Sequence, residues 1–209
     1  MLIKVCGMRD PENLRRLEAL DVDLAGFIFY PKSPRYVSPE GGIPETGKKK
    51  AGVFVDEQPE TLLGIAARYR LDYVQLHGNE SPRTCEALRT AGYSVIKVFP
   101  VATEADLRRT ADYPSCADYF LFDTKCVGYG GSGRRFDWSL LDEYRGNTPF
   151  LLGGGLTPDC ADDIKRLNHP MFSGIDLNSG FETSPAMKDI VKLNGFVREI
   201  RRPAAPGKK

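Results

Sequence analysis

Short apolar runs alternate with amphipathic helical patterns along the whole chain, and that alternation restricts the fold more than any other feature. Eight strand-then-helix beats occur, one roughly every 20–30 residues, with no shift in composition between them. Repeated βα units require parallel strands and right-handed crossovers, so one parallel sheet must hold them all. Eight such strands can close on themselves. The sequence therefore predicts a (β/α)8 TIM barrel over residues 1–202 as a single domain, with residues 203–209 as a disordered basic tail. An open doubly wound sheet is the alternative, because periodicity alone does not prove closure. Against it, the first strand–helix turn lacks the G-x-G-x-x-G pattern of dinucleotide-binding sheets. At 209 residues the chain is short for a barrel, typically ~250, but long enough for one buried core.

The strands are expected at residues 2–6, 24–30, 51–55, 73–76, 95–99 (stopped by Pro100), 119–122, 150–152 and 171–177. A first helix opens at Asp10-Pro11-Glu12 and a last one runs from 186 to 200. One beat is irregular. Residues 39–50 hold Gly41, Gly42, Pro44 and Gly47 before three lysines, so the second helix is expected to be frayed or very short.

In a barrel the C-terminal strand ends carry the chemistry. Those ends are Cys6, the loop with Arg35, His77, Asp123, the glycines after strand seven, and Asp176 with Ser179-Gly180. Strands seven and eight both finish in glycine-bearing turns, Gly153-Gly154-Gly155 and Ser179-Gly180. Such turns let backbone N–H groups approach an anion, and the loops after strands seven and eight form the usual phosphate site of this fold. A carboxylate at the end of an apolar strand must find partners, or its pKa rises and it becomes a usable general acid. Asp123 is so placed. Cys6 taken alone reads as packing, since unpaired cysteines are among the most buried residues.

Composition excludes several classes. A formal charge of +1 makes no case for nucleic acid or an anionic membrane. No apolar run approaches the ~20 residues of a membrane span, and no signal-peptide pattern is visible. Five scattered cysteines do not suggest a disulfide framework, and two histidines without Cys-x-x-Cys do not suggest a metal site. A cytoplasmic location is the expectation.

Several stretches together resemble one family. Lys4-Val5-Cys6-Gly7, Gly26-Phe27-Ile28-Phe29 with Ser33-Pro34-Arg35, Gln75-Leu76-His77-Gly78 and Phe122-Asp123 are similar to successive motifs of phosphoribosylanthranilate isomerases. So are Gly130-Gly131-Ser132-Gly133 with Phe136-Asp137-Trp138, and Gly153-Gly154-Gly155-Leu156. The resemblance runs in order from Ile3 to about Ile200. It implies a phosphosugar substrate and an Amadori rearrangement without metal or cofactor, by a monomer or homodimer. It implies phosphate binding at Gly154, Gly155, Ser179 and Gly180, with Asp123 as general acid and Cys6 as base. Arg35 would meet the anthranilate carboxylate, His77 and Asp176 would line the site, and residues 130–133 would belong to a covering loop. Asn178 stands where a serine is common, and Phe181 where a smaller aliphatic residue is usual. Two other readings stay open: another phosphosugar barrel, or a non-catalytic phosphate binder. Of the barrels, a metal-dependent epimerase would want histidines, and a synthase of the same pathway would want a strand-end lysine, for which the orientation of Lys97 matters.

Overall fold

The computed structural model describes residues 1–124 and 135–203. Its barrel strands are β1 (Leu2–Val5), β2 (Leu24–Ile28), β3 (Lys49–Phe54), β4 (Tyr73–Leu76), β5 (Ser94–Val101), β6 (Tyr119–Thr124), β7 (Phe150–Leu152) and β8 (Phe172–Leu177). Each pairs in parallel with the next, and β8 returns to β1 in the register Leu2↔Gly174 to Val5↔Leu177. The sheet is closed, which rules out the open doubly wound alternative.

Helices α1 (Pro11–Glu18), α2 (Pro59–Arg68), α3 (Pro82–Thr90), α4 (Glu104–Arg108), α5 (Ala161–Arg166) and α6 (Ile190–Arg201) pack outside. The first three begin with proline, whose fixed φ suits a first helical turn. Asp10 caps α1, its carboxylate accepting from the Asn13 N–H at 2.7 Å.

Three local expectations need correcting. No helix forms between β2 and β3. Glycine and proline there cost about 1 and about 3 kcal/mol each in a helix, and side-chain bonds hold the segment instead. The Gly47 N–H donates to Glu18 at 2.9 Å and the Lys48 ammonium to the Leu20 carbonyl at 2.8 Å. Strand β5 does not stop at Pro100 but continues to Val101. Peptide groups of alternate residues face alternate neighbours, and Pro100 faces β4, which has already ended opposite Lys97. The missing N–H of Pro100 therefore breaks no ladder bond. The last helix starts four residues later than expected, because an antiparallel hairpin, β9 (Glu182–Ser184) with β10 (Met187–Lys188), precedes it. Ala186 turns that hairpin with a φ of 65°, outside helical space. The expected covering loop at 130–133 and nearly all of the tail lie outside the described residues.

Two apolar cores hold the barrel. The larger lies between strands and helices, built on residues such as Ile3, Val5, Phe27, Val74, Phe99 and Phe122. The smaller fills the barrel interior with Leu24, Ala51, Tyr73, Ile96, Val98, Leu121 and Leu151. Side chains alternate along a strand, so the inward positions above this plug can be counted in steps of two. They turn from apolar to polar: Leu2 to Lys4 and Cys6, Tyr73 to Gln75 and His77, Leu121 to Asp123. Sequence parity thus delivers these groups to the C-terminal mouth. Among the described residues no helix is long and apolar enough to cross a membrane.

Candidate active site

All nine residues singled out from the sequence line one open cleft of about 770 Å³ at the C-terminal mouth. Cys6 follows β1 directly, its N–H bonded to the Leu177 carbonyl at 2.8 Å. Gly26 makes room for it, since a Cβ there would lie 3.0 Å from both Cys6 Cα and Sγ. Asp123 enters from β6, its Oδ1 accepting the Thr124 N–H at 2.7 Å. His77 Nε2 lies 3.5 Å from Asp123 Oδ2, and Gln75 Nε2 lies 3.4 Å from His77 Nδ1.

Burial sets the protonation states. It pushes the Asp123 carboxyl up to about 6, aided by the charge of Asp176 and opposed by the Thr124 N–H and Lys4. It also pulls the His77 imidazole down to about 4, with Lys4 and Lys97 adding to the effect. At neutral pH His77 is therefore a neutral dipole beside Asp123, not its counter-ion. Burial pushes the Cys6 thiol up, and Lys4 opposes this. The mouth thus holds a carboxyl that loses its proton about two pH units later than an ordinary aspartate and a thiol whose ionisation depends on nearby cations.

Sequence reasoning missed Lys4. Its side chain is fully buried inside the barrel, with Nζ 2.9 and 3.0 Å from the two carboxylate oxygens of Asp176. Burial alone would lower the ammonium, but Asp176 and Cys6 outweigh it and hold it above the ordinary lysine range. Burial likewise pushes Asp176 up against the pull of Lys4. Its signal was available in the parity of β1, where Lys4 and Cys6 share a face.

Arg35 reaches the cleft from the loop after β2, already paired with a residue the sequence left unassigned. Its Nε and Nη2 donate to Glu182 at 2.8 and 2.6 Å. Lys188 also donates to Glu182 and, at 2.8 Å, to Asn178 Oδ1. Asn13 ties the hairpin to α1 through two 2.8 Å bonds with the Lys188 backbone. Lys97, by contrast, is no strand-end lysine of the mouth. It faces out of the barrel and pairs with Glu80 at 2.9 Å while donating to the Gly78 carbonyl at 2.7 Å. That orientation removes the one feature that favoured a lysine-dependent synthase.

The two glycine turns lie side by side, the Gly180 backbone packed against Leu156. Gly154 and Gly155 adopt left-handed φ values of 75° and 67°. A Cβ on Gly154 would lie 2.3 Å from the Thr124 nitrogen, and one on Gly180 2.0 Å from the Leu156 carbonyl oxygen. Both positions accept only glycine. The N–H groups of Gly154, Gly155, Ser179 and Gly180 donate to no backbone carbonyl among the described residues. Phe181 leaves the cavity unobstructed, because its ring is buried against Phe196 with centroids 4.8 Å apart.

Two glycine turns with bare N–H groups beside a carboxyl and a thiol are an arrangement suited to a small phosphorylated ligand. The model of the N-(5'-phosphoribosyl)anthranilate (PRA) isomerase family matches residues 3–199. The chain belongs to that family. The PRA isomerase of Parabacteroides distasonis is 52% identical over 98% of this chain and 95% of its own. Among solved structures, monomers of the dimeric Thermotoga maritima isomerase superpose with a TM-score of 0.79 at 32% identity, covering 96% of this chain and 98% of that one. A structure of a phosphoribosyl anthranilate isomerase in complex with reduced 1-(o-carboxyphenylamino)-1-deoxyribulose 5-phosphate gives the same TM-score, identity and coverage. Phosphoribosylanthranilate isomerases are thus similar to this chain from the first strand to the last helix.

Proposed function

We propose that this cleft converts N-(5'-phosphoribosyl)anthranilate to 1-(o-carboxyphenylamino)-1-deoxyribulose 5-phosphate, in tryptophan biosynthesis, with Asp123 and Cys6 as the acid–base pair. The phosphate rests on the N–H groups of Gly154, Gly155, Ser179 and Gly180. Asp123 gives its proton to the furanose ring oxygen as the C1–O bond breaks, and the anilino nitrogen lone pair forms the C=N bond of a Schiff base. The Cys6 thiolate then removes the C2 proton, and those electrons reduce C=N to an enolamine. Proton return to C1 and loss of the C2 hydroxyl proton give the ketoamine. Every step is a proton transfer, so the scheme calls on no metal or organic cofactor. Among the described residues the Arg35 Nη1 donates to no protein acceptor, and it is the donor offered to the anthranilate carboxylate. His77 and Asp176 line the reacting end.

One observation carries this reading: a carboxyl raised to about 6 and a cysteine share a cleft whose other end is bare backbone N–H. An acid poised near the working pH is the best proton donor. The chain would act in the cytoplasm as a monomer or homodimer. The test is turnover of freshly generated phosphoribosylanthranilate. Asp123→Asn is expected to lower kcat at least 100-fold with KM within about threefold, and Cys6→Ser to be nearly inactive. Substantial turnover by Cys6→Ser would return Cys6 to a packing role.

A further inference from the structure

Beneath Cys6 the barrel interior holds an ion pair, Lys4 with Asp176, whose lysine no step of the reaction scheme uses. Lys4 stands two residues before Cys6 on the same inward face of β1, and Asp176 is its register partner on β8. Two of the three ammonium protons serve the Asp176 oxygens. The Lys4 stem and the Cys6 sulfur converge on Gly26, where a Cβ would lie 3.2 Å from Lys4 Cε and 3.0 Å from Cys6 Sγ. A buried lysine with no exposure exerts its field with little screening by water.

We propose that Lys4 is the positioning residue that sets the ionisation of Cys6: its buried ammonium is the counter-ion of the thiolate, and Asp176 tethers it there. This rests on the reading of Cys6 as the base. The charged and titratable groups around Cys6 divide clearly. Lys4 on β1 and Lys188 on β10 favour the thiolate, while Asp176 on β8 disfavours it. Lys188 is already engaged by Glu182 and Asn178. Arg35, after β2, is engaged by Glu182 as well. Across the cleft stand Asp123 on β6 and the neutral His77 after β4. Lys4 and Lys188 each spend two ammonium protons on protein acceptors. It is the Lys4 stem that meets the Cys6 sulfur over Gly26, so Lys4 is the cation whose field Cys6 feels most when it ionises. After Cys6 takes the C2 proton it is neutral again, and Lys4–Asp176 remains a closed pair that need not move.

The test is the pH dependence of Cys6 alkylation by iodoacetamide, read on the Cys6 peptide by mass spectrometry so that the other cysteines do not contribute. Relative to wild type, Lys4→Met is expected to move the midpoint up by at least one pH unit, about tenfold less thiolate at pH values below it. Asp176→Asn is expected to move it down. Lys4→Met strands a buried carboxylate and can fail to fold, so Lys4→Met/Asp176→Asn is compared with Asp176→Asn as the decisive pair. A higher midpoint in the double variant supports the assignment, and equal midpoints overturn it. The rising limb of kcat with pH should follow the same order. If alkylation shifts and kcat does not, Lys4 keeps its role and Cys6 loses its place as the catalytic base.

Discussion

Arg35 meets the cleft with two of its three guanidinium nitrogens engaged, and the side chain that takes them is itself buried. Glu182 is flanked by two cations, Arg35 and the fully buried Lys188. Burial alone would raise its carboxyl, but Arg35 and Lys188 outweigh that and hold it below the usual range. Removing one partner of such a group is costly because it leaves the other charges uncompensated in low dielectric. Glu182→Gln is therefore expected to destabilise the fold by about 3 kcal/mol, measured by denaturant unfolding at neutral pH. Adding Lys188→Met should recover part of the loss. An unchanged midpoint in Glu182→Gln would mean that water, not Glu182, compensates Arg35. At this scale the sequence placed Asp123, Cys6 and Arg35 at the mouth because each ends an apolar run or sits in a stiffened loop. Cys6 alone read as packing, and its part as base came only from the family resemblance. It hid Lys4 and Glu182. Their partners lie 172 and 147 residues away, and only barrel closure brings them together.

The strand–turn units are where we place the substrate phosphate, and their glycines are fixed by geometry rather than by flexibility alone. An alanine at Gly180 would drive its Cβ to 2.0 Å from the Leu156 carbonyl oxygen, a backbone atom that cannot rotate away. The two turns would have to separate. Gly180→Ala is expected to raise KM for the phosphorylated substrate at least tenfold, and to weaken inhibition by inorganic phosphate in parallel, while far-ultraviolet circular dichroism stays unchanged. A KM within twofold of wild type would remove Gly180 from the phosphate site. Elements with a strong period were legible: every barrel strand falls where apolar runs predict it. The hairpin β9–β10 was not, because Thr183 to Met187 has neither a clean period of two nor an Asn-Gly turn. Its register is set by Asn13 and Glu182 instead. The beat between β2 and β3 was read as weak and proved to contain no helix. Propensity there decided the outcome because side chains elsewhere took over the anchoring.

Closing the barrel joins the two ends of the chain, and it also places two oppositely perturbed titratable groups side by side. Near the end of α6, Arg201 donates to the Asp21 carbonyl and to Asp23 at 2.7 Å, sealing the last helix against the turn before β2. Inside, Asp123 and His77 both titrate away from their ordinary values, and their effects on stability have opposite signs. The Asp123 pKa rises from 3.8 to about 6, so between those values the native state binds more protons than the unfolded one. Its contribution to stability is present below pH 3.8 and is lost as pH rises through 6. The His77 pKa falls from 6.5 to about 4, so there the unfolded state binds more protons. Its contribution is present above pH 6.5 and is lost as pH falls through 4. Each shift is worth about 3 kcal/mol at its limit, and across pH 4 to 6 the two slopes largely cancel. Wild-type stability is therefore expected to vary little from these two groups in that window. Substitution uncovers each slope. Asp123→Asn should become more stable as pH rises from 4 to 6.5 and exceed wild type at pH 7 by about 2 kcal/mol, the proposed acid removed to the benefit of the fold. His77→Asn should do the reverse, losing stability as pH rises from 4 to 6. Chemical denaturation at half-unit pH steps measures all three proteins. Parallel curves for wild type and both variants would show that neither group is perturbed, and Asp123 would lose its claim to be an acid poised near neutral pH.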